Sequence, residues 1–242
     1  PAVLLHENFE SGKLGQWDVA VPKAQVVVDP TGRRSGRVLH IPYDVPEGAP
    51  AHRDCNRFVQ KNMSTHGIEH FFIRGYFCLT PSNRLTFGKK LFYIWCDPQA
   101  TPRWDIVVSA YDNGKGLALS FGSNVYEHTE LRFPTWDIAR GKVFVDKWYC
   151  LELEIKLNAP GKKDAEARLW LDGEMVMERT GVTIRADKKP LGIVRVGAQI
   201  DRNGDTNERH EDRYWDDVGI AKERIGQLTP AEAKASERDR DK

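Results

Sequence analysis

Side chains able to bind anions and to exchange protons recur on segments that alternate like β-strands. They form three pairs: Arg74 with Tyr76, Lys90 with Tyr93, and Arg195 with Gln199. Arginine, lysine and glutamine can neutralise a carboxylate, which makes the proton on the neighbouring carbon more acidic. Tyrosine, histidine and lysine can then remove that proton and protonate a leaving oxygen. The residue types therefore suit proton abstraction next to a carboxylate.

Loops and short segments beside these strands supply further candidates of the same kinds. They are His52 and Arg53 in a loop rich in Pro, Gly and Ala, Arg57 in the short segment that follows, and His210 in a late polar loop. Each candidate also has a structural interpretation. A strand arginine can pair with a carboxylate, a tyrosine can pack at the edge of a core, and a polar loop residue can simply be solvated. The sequence leaves both interpretations open.

Seven tryptophans are more than the core of one β domain needs. We expect about four of them to pack in the core or at its edges. The others could serve as flat surfaces for stacking on sugars. Trp95 and Trp170 are our candidates for sugar contact, and Trp170 falls on the polar face of its strand.

Two carboxylates, Glu152 and Glu154, lie on one strand face, as in retaining glycosidases. The run lacks the spaced third acid of such a site, and only Glu166 and Asp172 add acids on the polar face of the neighbouring strand. A glycoside hydrolase therefore ranks below the other functions considered. The sequence also lacks a G-x-S-x-G motif, a phosphate-binding loop and a dinucleotide fingerprint.

The segment Trp148–Glu178 shows most clearly which elements must position these residues. Tyr149, Leu151 and the alternate positions to Leu157 are apolar, whereas the residues between them are mostly polar. This period of two predicts a half-buried strand. A turn follows, then a second strand, and Asp172-Gly173 predicts a tight hairpin turn into a third.

Further strand patterns run along most of the chain, including one predicted over Val125–Leu131, whereas Trp136–Asp146 looks irregular. Twelve or more strands with hardly any helix predict an all-β fold, a two-sheet antiparallel β-sandwich of the jelly-roll type. We expect one domain over residues 1–228 and a charged C-terminal tail over 229–242.

The composition limits the classes of partner. The 242 residues carry a net charge of +1, which provides no field to attract nucleic acid or an anionic membrane. No apolar run reaches the roughly 18 residues needed to span a bilayer. The four cysteines, at 55, 78, 96 and 150, form no zinc-binding pattern, and both disulfides and buried thiols remain open.

Three segments resemble the concanavalin-like jelly rolls of polysaccharide-active proteins. They are Asn8–Gly12 with Trp17, the hairpin Trp148–Gly173, and Tyr214–Ile220 followed by Arg224-Ile225-Gly226. Their order and spacing are similar to those of the glucuronan lyase family and its relatives among polysaccharide lyases. The resemblance spans nearly the whole chain, although short β motifs of this kind support many functions.

The resemblance implies a structural calcium ion that joins the first strand to the last. Carried over by position, the ligands would come from Glu10, from Ser35, and from Asp217 or Asp216. Calcium prefers six to eight oxygen ligands, and close carboxylates would repel each other without a cation. The alternative is that Glu10 caps a turn and Asp217 pairs with an arginine.

The resemblance also implies a lyase that cleaves an acidic, uronate-containing glycan by β-elimination. The strand Lys90–Cys96 departs from the family, because it lacks the Arg and Gln expected there, whereas Arg74 matches a strand arginine of the relatives. We predict six catalytic residues: Arg74, Tyr76, Tyr93, Gln199, Lys90 and His52. We predict six substrate-binding residues: Arg53, Arg57, Trp95, Trp170, Arg195 and His210. We expect a secreted or periplasmic monomer, and a non-catalytic glycan-binding module is the alternative.

Overall fold

The computed structural model describes residues 2–21, 23–34, 36–44, 57–80, 89–96, 103–112, 116–197 and 210–228, with the backbone alone at 44, 89, 112 and 210. The regular secondary structure in this part of the chain is almost entirely β-strand, as predicted. The strands are Val3–Glu7 (β1), Val19–Ala20 (β2), Gln25–Val28 (β3), Arg37–Asp44 (β4), Val59–Asn62 (β5), His70–Leu79 (β6), Lys89–Trp95 (β7), Trp104–Asp112 (β8), Leu117–Val125 (β9), Phe133–Ile138 (β10), Trp148–Lys156 (β11), Ala165–Leu171 (β12), Glu174–Val182 (β13), Ile193–Val196 (β14) and His210–Ala221 (β15).

The strands form two antiparallel sheets, which confirms the predicted sandwich. Sheet A has the order β13-β12-β11-β6-β15-β4-β3, and sheet B has the order β10-β9-β8-β7-β14-β5-β2. The long strand β15 changes partner along its length, because its first half pairs with β4 and its last residues pair with β1. The register shifts between Asp216 and Gly219, where Asp217 has a φ of 46°.

The predicted hairpin is confirmed as β11, β12 and β13, at one end of sheet A. Leu151 pairs with Leu171 of β12 on one side and with Gly75 of β6 on the other. Asp172 and Gly173 have φ values of 49° and 79°, the left-handed pair that a tight hairpin turn requires. The apolar alternate residues of β11 point into the core, as the period of two predicts.

The core lies between the two sheets and contains large aromatic side chains. Trp215 is fully buried, and its ring centre lies 5.8 Å from that of Phe77 in sheet A and 5.6 Å from that of Phe92 in sheet B. Four tryptophans are buried, as expected: Trp17, Trp104, Trp170 and Trp215. Burial of each such ring contributes roughly 25 cal/mol per Å² of apolar surface removed from water.

Two local predictions need correction. The predicted strand Val125–Leu131 is instead the end of β9 followed by a turn and the 3₁₀ segment Thr129–Leu131, and the segment that looks irregular begins within strand β10. Strand and turn patterns of this length differ too little for the sequence to separate them.

Among the described residues, Cys78, Cys96 and Cys150 are buried free thiols, and Cys55 lies outside the described residues. The predicted tail, 229–242, lies outside them as well. Within the described part of the chain, no helix has the length and apolar character to cross a membrane.

Candidate functional site

A groove of about 230 Å³ lies on the face of sheet B that points away from the core. We call it the sheet B groove, and strands β7 to β10 supply most of its lining. Its polar lining includes Lys90, Tyr93, Asp105, Asn124, Tyr126 and Arg132. The groove therefore combines cationic, phenolic, amide and carboxylate groups on one surface.

Strand alternation places these side chains outside the core. In β7, Phe92 and Ile94 point into the core, so Tyr93 between them points the other way. In β8, Ile106 packs in the core and the preceding Asp105 faces the groove. A period of two thus builds a polar face on a sheet whose other face is apolar.

Buried Asp105 is the centre of the hydrogen bonds in the groove. Its Oδ2 accepts hydrogen bonds from the hydroxyl groups of Tyr93, at 2.9 Å, and Tyr126, at 2.5 Å. Its Oδ1 accepts a bond of 2.6 Å from the side-chain amide of Asn124. Asp105 is 1% exposed, and no described residue forms an ion pair with it. Among the described residues, only neutral groups therefore donate hydrogen bonds to this buried carboxyl group.

Burial and the charge of Asp105 raise the pKa of Tyr93 well above its usual value. Burial and the hydrogen bond to Asp105 also raise the pKa of Tyr126. Both phenols are therefore neutral near pH 7, so neither can act as a base in its phenolate form.

Arg195 lies on the outer face of β14, directly beside Tyr93. Its guanidinium carbon lies 4.0 Å from the ring centre of Phe58 and 4.3 Å from that of Trp95. Its Nε donates a 2.8 Å hydrogen bond to Gln60, whereas its two terminal nitrogens have no hydrogen-bond partner among the described residues. Burial lowers the pKa of Arg195, but an arginine stays charged at neutral pH. It is a positioned cation that pairs with no carboxylate of the described residues.

The strand register puts these groups in one row across the sheet. Gln60 pairs with Arg195, Arg195 pairs with Tyr93, and Tyr93 pairs with Val107. Val107 in turn pairs with Gly122, where an added Cβ would meet no atom within 4 Å. The row therefore has a cation and a phenol at one side and an open surface at the other, which an extended ligand could occupy.

Two further predicted residues lie in the same area. The Nζ of Lys90 lies 4.7 Å from the ring centre of Tyr93. The ring of Trp95 meets that of Tyr93 edge to face, with centres 4.7 Å apart. The structure thus brings together Lys90, Tyr93, Trp95 and Arg195.

Arg74 and Tyr76 are not part of this group, so the structure separates the predicted catalytic residues. Both lie on β6 in sheet A, under residues 222–228, which we call the C-terminal strap. Arg74 is 2% exposed, and its nitrogens donate to the carbonyl oxygens of Asp217 and Gly226 at 3.1–3.2 Å. The hydroxyl of Tyr76 accepts a 3.0 Å hydrogen bond from the backbone N–H of Leu228. Both side chains hold the strap in place.

Trp170, which was predicted to contact sugar, also belongs to the covered face of sheet A. It is 8% exposed, and the guanidinium of Arg224 lies 4.5 Å from its ring centre. Glu152, on the adjacent strand, accepts hydrogen bonds from the backbone N–H groups of Ile225 and Gly226. Glu154 pairs with Arg168 and His70. The two carboxylates are therefore engaged in structural bonds, which fits the low rank of a hydrolase.

Of the other residues predicted to act in catalysis or substrate binding, four lie partly or wholly outside the described residues, and Arg57 lies inside them. His52, Arg53 and Gln199 lie outside them, as does the side chain of His210, whose backbone begins β15 opposite Asp44. Arg57 precedes β5, and its carbonyl oxygen accepts a 2.7 Å hydrogen bond from Tyr43. Their predicted roles stay predictions.

The carboxylates predicted to bind calcium have other partners in the described residues. Arg34 pairs with Asp216 at 2.5 Å and also pairs with Asp217. Glu10 accepts a hydrogen bond of 3.1 Å from the backbone N–H of Arg37. No group of three His, Cys, Asp or Glu side chains in the described part of the chain could hold a metal ion. Asp217 is thus paired with an arginine, and Ser35 lies outside the described residues. Calcium stays a prediction.

Sequence reasoning missed Asp105, Asn124 and Tyr126. Asp105 carries a signal that was available, since it is a carboxylate at the start of a strand rich in apolar residues. Its partners on β9 and in the following turn are set by the pairing of β8 with β9, in which Asp105 lies opposite Asn124. Only that register shows that the three groups meet.

The chain is an all-β, two-sheet antiparallel sandwich of the jelly-roll type with a polar groove on the outer face of sheet B. No family model matches the sequence, and no curated protein sequence matches it significantly. The similarity lies in solved structures. An endo-β-1,4-glucuronan lyase from the fungus Trichoderma reesei aligns with a TM-score of 0.70 and 15% identity, over 91% of this chain and 96% of that one.

Two alginate lyases have similar structures. A marine PL-14 alginate lyase from Aplysia kurodai has a TM-score of 0.65 and 12% identity, over 95% of this chain and 100% of its own. The alginate lyase vAL-1 from a Chlorella virus has a TM-score of 0.61 and 12% identity, over 91% of this chain and 100% of its own. At such low identity the similarity establishes the fold, while activity has to be argued from the groove.

Proposed function

We propose that this protein is a polysaccharide lyase that cleaves a uronate-containing glycan by β-elimination in the sheet B groove. The observation that carries the proposal is the position of Arg195 next to Tyr93 on adjacent strands. The terminal nitrogens of Arg195 have no hydrogen-bond partner among the described residues, and a guanidinium binds a carboxylate through two parallel hydrogen bonds. The similar structures support this substrate class, because by name they act on glucuronan and alginate.

In this reaction Arg195 binds the carboxylate of one uronate unit. Its charge stabilises the negative charge that develops when the proton on the neighbouring carbon is removed. Tyr93 is the proton-transferring group, because its side chain lines the groove and it pairs with Arg195 on the adjacent strand. Lys90 adds a second positive charge close to the Tyr93 ring.

The remaining groove can hold neighbouring sugar units of the chain. Trp136 lines the groove and is 52% exposed, and its ring meets that of Tyr111 edge to face at 5.4 Å. An exposed, oriented indole ring is a surface on which a sugar can stack. A polymeric substrate also implies action in the periplasm or outside the cell, which fractionation of the producing cells would test.

The proposal is tested by incubating the protein with glucuronan, alginate and a neutral glucan and following the ultraviolet absorbance of the unsaturated product. We expect absorbance to rise with an acidic glycan, to stay flat with the neutral one, and to fall by roughly 10²–10⁴ in rate with Tyr93→Phe. A flat trace with every acidic glycan would overturn the proposal. Retention on an acidic-glycan affinity gel would then favour a binding module, the second candidate, which exposed Trp136 supports.

A further inference from the structure

We propose that Asp105 accepts the proton of Tyr93 at the moment when Tyr93 removes the proton of the substrate. The inference rests on the proposed lyase function and assigns a residue that acts through Tyr93. Asp105 does not touch the substrate in this scheme. It positions the phenol and provides the place to which the phenolic proton moves.

The charge of Asp105 is compensated differently from that of three other buried carboxylates in this protein. Glu152, Asp216 and Glu211 are each bound by an arginine. Buried Glu7 and Asp29 accept hydrogen bonds from backbone N–H groups, whereas the donors to Asp105 are side chains. Asp105 is equally buried but receives hydrogen bonds only from two phenols and one amide among the described residues. Protonation of a buried carboxylate that no cation contacts removes a buried charge, which lowers the electrostatic cost of accepting a proton.

Tyr93 needs such an acceptor. Its phenol is neutral, because burial and the nearby carboxylate raise its pKa. A neutral phenol can take a proton from carbon only if its own proton leaves in the same step. The hydroxyl of Tyr93 already donates to Asp105 Oδ2 at 2.9 Å, which is the direction in which that proton must move.

The atoms and electrons balance without another reactant. The oxygen of Tyr93 bonds to the proton leaving the carbon next to the uronate carboxylate, while the phenolic proton moves to Asp105. The electron pair of the broken C–H bond forms the carbon–carbon double bond, and the bond to the leaving sugar oxygen breaks. That oxygen takes a proton from Tyr93, and Asp105 returns its proton to Tyr93.

Several charged or titratable groups surround this relay and could influence its pH dependence. Lys90 and Arg195 come from the strands beside Tyr93, Arg103 stacks 4.0 Å above the ring of Tyr126, and Glu127 binds the backbone of Arg103. Arg132 also lines the groove. Four of these five charged groups are cations.

The first test is the pH profile of Asp105→Asn on the acidic glycan that the wild-type protein cleaves. The amide keeps the shape and can still hold the phenol, but it cannot accept a proton. We expect kcat to fall by roughly 10²–10⁴ with KM unchanged. We also expect the remaining activity to rise about tenfold per pH unit through the range where wild-type kcat is flat, because Tyr93 must then lose its proton to hydroxide first.

Asp29→Asn is the matched control. Asp29 is buried and accepts backbone hydrogen bonds from Thr31, Arg33 and Arg34, outside the sheet B groove. We expect this variant to keep the wild-type kcat and pH profile. An unchanged kcat in Asp105→Asn, or a fall in kcat that keeps the wild-type profile, would overturn the relay.

A second measurement uses the wild-type protein and so does not depend on the folding of a variant. Deuterium at the substrate carbon and deuterium in the solvent should slow the same step, because both protons move together. A substrate effect without a solvent effect on that step would overturn the relay. Absence of unsaturated product from the wild-type protein would instead overturn the proposed function.

Discussion

The guanidinium of Arg195 lies over the ring of Trp95, with its carbon 4.3 Å from the ring centre. Trp95 is the next outward-facing residue of β7 after Tyr93, so one aromatic residue orients the cation and its neighbour carries the phenol. Stacking on a ring fixes the plane of a guanidinium while its terminal nitrogens stay available for a planar anion. The pair therefore presents Arg195 to a substrate carboxylate.

Arg195→Lys should weaken the reaction although it keeps the positive charge. A lysine cannot form two parallel hydrogen bonds to a carboxylate, and it stacks less well on Phe58 and Trp95. We expect kcat/KM on the acidic glycan to fall roughly 10–100-fold, the value of one or two charge-assisted hydrogen bonds. Steady-state kinetics measure this change.

Arg168→Lys provides the matched control for that substitution. Arg168 pairs with Glu154, Glu166 and Glu178 on the outer side of sheet A. We expect its kcat/KM to equal that of the wild type. An equal loss of kcat/KM in both variants would argue against a specific role for Arg195.

Gly122→Leu should obstruct the groove without disturbing the fold. Gly122 lines the groove floor, and an added Cβ would meet no atom within 4 Å. We expect a melting temperature close to that of the wild type and a large rise in KM for the polymer. A leucine at Gly75, whose Cβ would lie 3.2 Å from the ring of Trp215, should instead lower the melting temperature. Normal KM in Gly122→Leu would place the glycan elsewhere.

Arg74→Met should destabilise the protein and leave turnover intact. The change removes hydrogen bonds to the carbonyl oxygens of Asp217 and Gly226 at a buried position. Unfilled buried acceptors cost about 1–3 kcal/mol each, so we expect a loss of about 3 kcal/mol in the free energy of unfolding. Chemical denaturation measures it, and kcat serves as the second readout. Loss of kcat in a stably folded variant would return Arg74 to the catalytic set.

Arg34→Met should destabilise the end of the sandwich in a pH-dependent way. Burial and the charge of Asp217 raise the pKa of Asp216 to about 7, and Arg34 opposes that shift. The pKa of Asp216 is thus higher in the folded than in the unfolded state. Protonated Asp216 therefore stabilises the folded protein at acidic pH, and this stabilisation is lost as the pH rises through about 7. We therefore expect the variant to lose about 3 kcal/mol above pH 7 and much less under acidic conditions.

A calcium chelator distinguishes whether Arg34 or a calcium ion balances the charges of Asp216 and Asp217. If Arg34 supplies the positive charge, the melting temperature of the wild-type protein should not change when a calcium chelator is added. A lower melting temperature that added calcium restores would support the calcium ion implied by the family resemblance. If the chelator leaves the melting temperature unchanged and Arg34→Met is as stable as the wild type, neither calcium nor Arg34 stabilises the paired carboxylates.

The strand pattern determined the architecture from sequence. Alternating residues such as Leu151 and Leu153 must face a core, and Asp172-Gly173 permits the backbone of a tight turn, so β11 to β13 followed from local rules. The same rules placed Tyr93 and Arg195 on polar strand faces. Local rules do not determine to which sheet a polar face belongs. Arg74 and Tyr76 were therefore predicted to act with residues that lie on the opposite side of the sandwich.

Tertiary structure decided the site, because the site depends on which strands are neighbours. Arg195 and Tyr93 are far apart in the sequence, and only the pairing of β14 with β7 puts them side by side. The pairing of β8 with β9 likewise brings Asn124 to Asp105. On sheet A, the C-terminal strap covers Arg74, Tyr76 and Trp170, so these side chains contact the strap. Strand order and coverage are long-range properties, and alternation along a single strand does not encode them.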